Sequence, residues 1–464
     1  MKKLDASIII AFKNAIGEEN VIIDHDKLIF YATDHSIAQA VVPQLVVLPS
    51  TTEMVSEIMK ICYANEVPIT VRAGGSGLVG GAVPTHGGIV MDIKKMDKIL
   101  QIDEANFQVT VEPAMITEVL QNTLKSRGLY YPPDPSSRGT SFIGGNVATN
   151  AGGPRAVKYG VVREYVLNLE VVLPDGRIIW TGANTLKNST GYSLTQLMIG
   201  SEGTLGIITK IVLKLIPHPT HDLLLLAPFM SVKDASKAVS AIFKAGITPS
   251  AIGELMDRKA IDWAADYLEL DRMDIGDTIK AQLLIEVDGF EIDQLQKECE
   301  KIYEVLSQFE VDEILFADSA AQKNELWKLR RNIANAVKVH KTYKKEDTVV
   351  PRDHMPQLLE AIEQLEIKYG FDAICFGHAG DGNLHINIVQ GDRTDEEVKH
   401  WHQALVDLLL TVKKLGGTLS GEHGIGIVQK EFMPLMLDRA NLELMKGIKS
   451  VFDPKNILNP EKIF

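Results

Sequence analysis

Cysteine is scarce in this chain. There are three, Cys62, Cys299 and Cys375, far apart and without a C-x-x-C pair, a spacing that argues for a reducing compartment and against iron–sulfur clusters in this chain. Any electrons the protein handles must therefore leave by another route. Long apolar runs are missing too: "DLLLLAPF" falls far short of the roughly 18 residues that span a bilayer. The opening "MKKLDASIII AFKNAIGEEN" has a brief apolar stretch before Lys13, Glu18 and Glu19, so no export signal is read and a cytoplasmic location is expected. Positive charge is in deficit, with 48 Lys and Arg against 61 Asp and Glu, a formal net charge of −13 and no basic run of five. That balance argues against general nucleic-acid binding, because a phosphate backbone rewards concentrated cations. It leaves room for a small anion held by local charge. No G-x-x-x-x-G-K-[ST] is present, which excludes a P-loop, and no fixed-period repeat or low-complexity tract is found.

What is present suits a large soluble protein: 464 residues, 45% hydrophobic, enough to bury a sizeable core in two or more domains. Glycine and small residues concentrate between positions 72 and 210, whereas 230 to 370 is rich in charged, helix-favouring stretches. The shift places a boundary near "LIPHPTHD", where Pro217 and Pro219 break regular structure. Upstream, short strands ("LVVLPS", "PITVRA", "GIVMDI", "FQVTVEP") alternate with helices expected at about Thr52 to Asn65 and Ile116 to Arg127. Downstream, long amphipathic helices alternate with strands such as "AQLLIEVDG" and "AICFGHA". The fold class is α+β with mixed strands, and the tail "DPKNILNPEKIF" reads as a terminal segment docked on a finished domain.

Three glycine clusters carry the first chemical signal. "RAGGSGLVGGAVP" contains Gly75, Gly77 and Gly80 in a G-x-G-x-x-G spacing, but Gly81, Pro84, Gly87 and Gly88 follow where a Rossmann motif must open a helix. The stretch can still bring backbone N–H groups up to an anion such as pyrophosphate. "GGNVATNAGG" (144–153) and "IGSEGTLGIIT" (199–209) add two more side-chain-poor surfaces. Together they favour one large phosphate-bearing ligand over three unrelated flexible loops.

"FGHAGDGNLHINIV" (376–389) sets His378 and His385 seven positions apart among glycines. Two imidazoles are an incomplete metal site; Glu422 in "SGEHGIG" offers a third ligand, a set that suits Fe²⁺, Zn²⁺ or Mn²⁺ and leaves positions open. Buried histidines bonded to backbone in a glycine turn are the plainer alternative. Strand alternation puts His385 and Asn387 on one side and Ile386 and Ile388 on the other. His423, flanked by Gly421 and Gly424, is of the right type to accept a proton near neutral pH, or else is a packed residue beside the metal. In "NELWKLRRNIANAV", Leu326, Arg330, Ile333 and Val337 share a helical face. Arg330 on that face calls for an anionic partner, either a protein carboxylate or a ligand one.

The ordered set "PQLVVLPSTTEMVSEIMKICYANEVPITVRAGGSGLVGG", "PPDPSSRGTSFIGGNVATNAGG", "GSEGTLGIIT", "GHAGDGNLHINI", "SGEHGIG" and "DPKNILNP" resembles the FAD-linked D-2-hydroxy acid dehydrogenases. Those include D-lactate dehydrogenases and the glycolate oxidase large subunit, within the vanillyl-alcohol-oxidase type of flavoproteins. The resemblance implies a two-subdomain FAD-binding domain of the PCMH type at 1–218, a cap domain with an antiparallel sheet at 219–415, and a segment at 416–464 that returns to complete the active site. It assigns FAD contacts to Arg72, Ala73, Gly74, Gly75, Ser76, Gly77, Leu78 and Gly81, then to Pro135 and Ser136. It continues through Gly144, Gly145, Asn146, Thr149, Asn150, Gly152 and Gly153, and ends with Glu202, Gly203, Ile208 and Asn459. Ser76 stands where relatives with covalent FAD often carry histidine, so dissociable FAD is expected. His378, His385 and Glu422 become the ligands of one divalent ion. His423 becomes the base, Arg330 the substrate arginine, and Lys345 and Asn387 further positions at the substrate. Ala334, where relatives acting on larger diacids have Thr or Ser, favours a small substrate.

The resulting expectation is oxidation of D-lactate or a similar small D-2-hydroxy acid to the 2-oxo acid, with hydride passing to flavin N5. Electrons would go on to a separate acceptor, an electron-transferring flavoprotein or an iron–sulfur subunit. Glycolate oxidase-type or D-2-hydroxyglutarate dehydrogenase activity is the alternative within the family, which also has a non-redox ether-lipid branch. A metal-dependent hydrolase and a catalytically silent flavoprotein subunit are the readings from other classes.

Overall fold

The computed structural model describes residues 4–270 and 276–464, and the chain divides into two compact units. The first comprises Met1–Gly152, Val161–His218 and Glu422–Phe464; the second comprises Gly153–Gly160 and Pro219–Gly421. Among the described residues no helix is long and apolar enough to cross a membrane.

The first unit contains a four-stranded sheet in the order Val21–Ile22, Leu45–Val47, Ile89–Asp92, Ile69–Arg72, with the last three strands parallel. Parallel strands need a crossover, and the helix Thr52–Asn65 supplies the one from Leu45–Val47 to Ile69–Arg72, with Ile89–Asp92 inserted between them. Thr51 caps it by accepting the Met54 N–H, and Val55, Ile58, Met59 and Cys62 face the core. A second, antiparallel sheet has the order Ile99–Asp103, Gln108–Val111, Ile207–Lys214, Val166–Val172, Ile178–Trp180. The glycine-rich stretch after Arg72 stays irregular until the strand at Ile89, so its G-x-G-x-x-G opens no helix. The tail docks on this unit: Ile69 N–H donates to Ile457 O at 2.8 Å and Asn459 N–H to Ile69 O at 2.8 Å.

The second unit is built on a seven-stranded antiparallel sheet. Its order is Leu315–Ala317, His221–Phe229, Ala281–Gly289, Ala251–Asp257, Asp372–His378, Asn383–Val389, Thr342–Val349. On one face Leu224, Leu226, Met256, Leu284, Ile374 and Phe376 form a core with Ala260, Ile261 and Ala264 of the helix Arg258–Tyr267 and Ile333 and Val337 of the helix Ala320–Lys338. Asp257 caps the first of these helices at Ala260 N–H and also accepts Cys375 N–H at 2.7 Å.

The bounds of this unit differ from the expected 219–415, extending to Gly421 and taking in Gly153–Gly160. Gly153–Gly160 is tied to this unit through two buried carboxylates on the strand Ala281–Gly289, which need cations. Arg155 reaches Glu286 at 2.7 Å, Lys158 reaches Asp288 at 2.5 Å, and the Tyr159 hydroxyl donates to Asp288 at 2.8 Å. Partners some 130 residues apart leave no local trace in sequence.

Candidate active site

In the second unit, antiparallel register gathers polar side chains on one sheet face. Residues directly opposite share a face, and the pairs are Lys345 with Asn387, Asp347 with His385, His385 with Phe376, Asn383 with His378, and His378 with Glu254. His378 and His385 stand edge to face with ring centroids 5.3 Å apart, both buried. The helix Ala320–Lys338 carries Arg330 to the same face, its guanidinium 5.1 Å from the centroid of Phe376, while Arg331 is exposed.

Each histidine is backed by a buried carboxylate at Nδ1. Glu254 pairs with His378, and its second oxygen pairs with Arg330 Nε. Burial alone would push the Glu254 carboxyl up, but the Arg330 guanidinium, followed by the His378 ring bonded to it, outweighs burial and holds the group below the usual glutamate value. Asp347 Oδ1 lies 3.3 Å from His385 Nδ1. Its oxygens accept Asn383 Nδ2–H at 2.8 Å, the Ser420 hydroxyl at 2.8 Å and Gly421 N–H at 3.0 Å. Lys345 is half-buried, and burial followed by the charge of Lys338 lowers its ammonium pKa. Asn387 is buried, with Nδ2 donating to Ile374 O at 3.5 Å. Arg330 thus has a protein carboxylate as partner, one of the two possibilities open from sequence. Glu254 itself was missed; the available signal was an acid in the middle of the apolar strand "AIGELMD", since a buried charge demands a partner.

In the first unit, the three glycine clusters converge through backbone and packing. A Cβ on Gly74 would stand 2.6 Å from Thr140 O, and one on Gly145 would stand 3.2 Å from Ala73 Cβ, so the first loop lies on the segment that opens the helix Ile143–Thr149. Pro135 and Ser136 precede that segment, and Pro135 O accepts Arg138 N–H at 2.8 Å. Asn459 ties the ends together, accepting Val71 N–H at 2.9 Å and donating to Glu202 O at 2.8 Å beside Gly203, whose φ is 68°. Ile208 lies on the strand Ile207–Lys214, opposite Val171.

Several side chains assigned to the cofactor are also engaged with the protein. Asn146 donates to Thr117, Thr149 to Gly145 O, and Arg72 to Thr33 O, while Asn150 accepts Arg163 N–H. Glu202 accepts Ile425 N–H at 2.7 Å and Gly426 N–H at 2.8 Å; burial raises its pKa against these bonds. Gly77 and Gly81 differ: a Cβ on either meets no atom within 4 Å. This is a surface of loops held from behind by side chains and left bare in front, which fits a large ligand such as FAD lying against backbone. Glu422 abuts it, for a Cβ on Gly152 would come within 2.8 Å of Glu422 Oε2. His423 Nε2 is 3.9 Å from Glu422 Oε1. Ser420 and Gly421 are tied to Asp347 in the second unit, and the next residues, Glu422 and His423, belong to the first.

Residues 218–463 match the family described as FAD linked oxidases, C-terminal domain, and residues 43–182 match the FAD binding domain. The chain belongs to this family of FAD-linked oxidoreductases. It is 38% identical over 449 residues to the glycolate oxidase subunit GlcD of Bacillus subtilis (strain 168), covering 97% of this chain and 94% of that protein. It is likewise 38% identical over 458 residues to a D-lactate dehydrogenase of Anaerostipes hadrus, with coverage of 97% and 94%. A solved p-cresol methylhydroxylase superposes with a TM-score of 0.81 at 20% identity, over 98% of this chain and 96% of the other. The fold is therefore that of the PCMH-type FAD oxidases.

Proposed function

We propose that the protein is a dehydrogenase of small D-2-hydroxy acids, with D-lactate the first candidate, that uses dissociable FAD and one divalent ion. The observation that carries this reading is one sheet face on which buried His378, His385 and Asn387 stand beside half-buried Lys345, with buried Arg330 brought to it by a helix. It pairs cationic groups suited to a carboxylate with imidazoles suited to a metal. The open backbone at Gly77 and Gly81, with the packed glycine segment Gly144 to Gly152 beside it, would hold FAD, which supplies an acceptor for a hydride. His378, His385 and Glu422 would hold the ion, which supplies a Lewis acid beside the hydroxyl.

Arg330 and Lys345 bind the substrate carboxylate, and a lysine whose ammonium is already destabilised by burial gains when an anion arrives. Asn387 offers its amide to the same ligand. His423 accepts the hydroxyl proton, and two flanking glycines leave it room to do so. Ala334, one turn from Arg330, presents no second polar group, which favours lactate over a hydroxy diacid. Electrons then pass to a separate protein, an electron-transferring flavoprotein being the leading candidate for a chain without cysteine clusters, in the cytoplasm. The test is an anaerobic series with D-lactate, L-lactate, glycolate and D-2-hydroxyglutarate. D-lactate bleaches the flavin band fastest if the assignment holds; a faster response to glycolate or D-2-hydroxyglutarate reassigns the substrate within the family.

A further inference from the structure

We propose that Glu254 is a positioning residue shared by both ends of the site, so that metal loading at His378 and carboxylate capture at Arg330 depend on one buried side chain. This rests on the hydroxy-acid reading above. Glu254 is 0% exposed, with Oε1 on His378 Nδ1 and Oε2 on Arg330 Nε. An ionised carboxylate only accepts hydrogen bonds, so Nδ1 of His378 must carry the proton. That tautomer puts the ring's lone pair on Nε2, the atom a divalent cation would use, and a carboxylate behind Nδ1 makes the ring a better ligand. At the other oxygen, Glu254 engages Arg330 at Nε beside Phe376, which leaves the terminal Nη groups for a ligand carboxylate.

Asp347 provides the contrast. It stands behind His385, but Asn383, Ser420 and the Gly421 N–H also bind it, so its orientation is fixed without the histidine. Glu254 has His378 and Arg330 as its hydrogen-bond and ion-pair partners among the described residues. Each of these therefore sets the position of the carboxylate for the other. Whatever fixes His378, including a bound cation, also fixes Arg330, and linkage makes the effect reciprocal.

The test uses Glu254→Gln in the full chain, with Zn²⁺ and Mn²⁺ affinities measured by chelator competition and His378 tautomers read by ¹⁵N NMR on metal-free protein. A glutamine can accept from one partner but turns an NH₂ toward the other. We expect metal affinity about 10- to 100-fold weaker, a His378 tautomer shifted away from Nδ1–H, and a KM for D-lactate that rises more than kcat falls. Glu254→Gln with Arg330→Met removes both charges, which keeps the fold without a buried unpaired ion, and should still bind metal weakly. Wild-type metal affinity in both variants together with an unchanged tautomer overturns the proposal. Failure of the wild type to bind either ion instead sinks the metal reading, and the tautomer comparison then decides the role of Glu254 by itself.

Discussion

The loops of the first unit and the sheet face of the second solve opposite problems. In the glycine loops the side chains of Asn146, Asn150, Glu202 and Asn459 are turned inward to hold the backbone, and at Gly77 and Gly81 the backbone is left open. Around His378 the backbone is a regular sheet, and buried charges face each other directly. A surface of backbone suits a large, invariant cofactor, whereas a cluster of paired charges suits a small substrate whose proton and carboxylate must be handled individually.

This comparison can be broken by substitutions that strike one region and spare the other. The largest effect is expected from Arg330→Ala, which strands the Glu254 carboxylate and should cost about 3–5 kcal/mol of stability together with turnover, read by urea unfolding and D-lactate assays. Next is Asn459→Ala: loss of the links to Val71 and Glu202 should cost about 1–3 kcal/mol and speed FAD loss on dilution, without altering the substrate preference of the FAD that remains. For Gly77→Ala, whose Cβ meets no protein atom within 4 Å, thermal stability of the FAD-free protein should change by about 0.5 kcal/mol or less while FAD binds more weakly; for Gly77→Val the purified protein turns colourless. A yellow Gly77→Val protein would remove that loop from the cofactor surface.

The smallest effect concerns pH. Burial pushes the Asp257 carboxyl up to about 7 against the N–H bonds of Ala260 and Cys375. Its folded pKa thus lies above the unfolded value, so the folded state binds the extra proton, and the contribution of this group to stability declines as pH rises toward and through about 7. Asp257→Asn should reduce the difference between unfolding midpoints at acid and neutral pH.

The same contrast explains what was legible in sequence. The helix Thr52–Asn65 and the strand Ala281–Gly289 could be placed from periodicity and apolar runs, because those signals are local. The glycine clusters were visible because a bare backbone surface is written as glycine. Glu254 and the attachment of Arg155 and Lys158 to Glu286 and Asp288 were not, since each depends on a partner more than 70 residues away that only packing of helices against the sheet supplies. Motif order added the family, which spacing alone did not reach.

The most direct test of the division between a cofactor surface and a chemical face is His385→Asn, purified with its FAD and mixed anaerobically with D-lactate beside the wild type. The account predicts that both proteins are yellow and that D-lactate bleaches the wild type but not the variant. A variant that bleaches at the wild-type rate, or one that has lost its FAD while remaining folded, would contradict it.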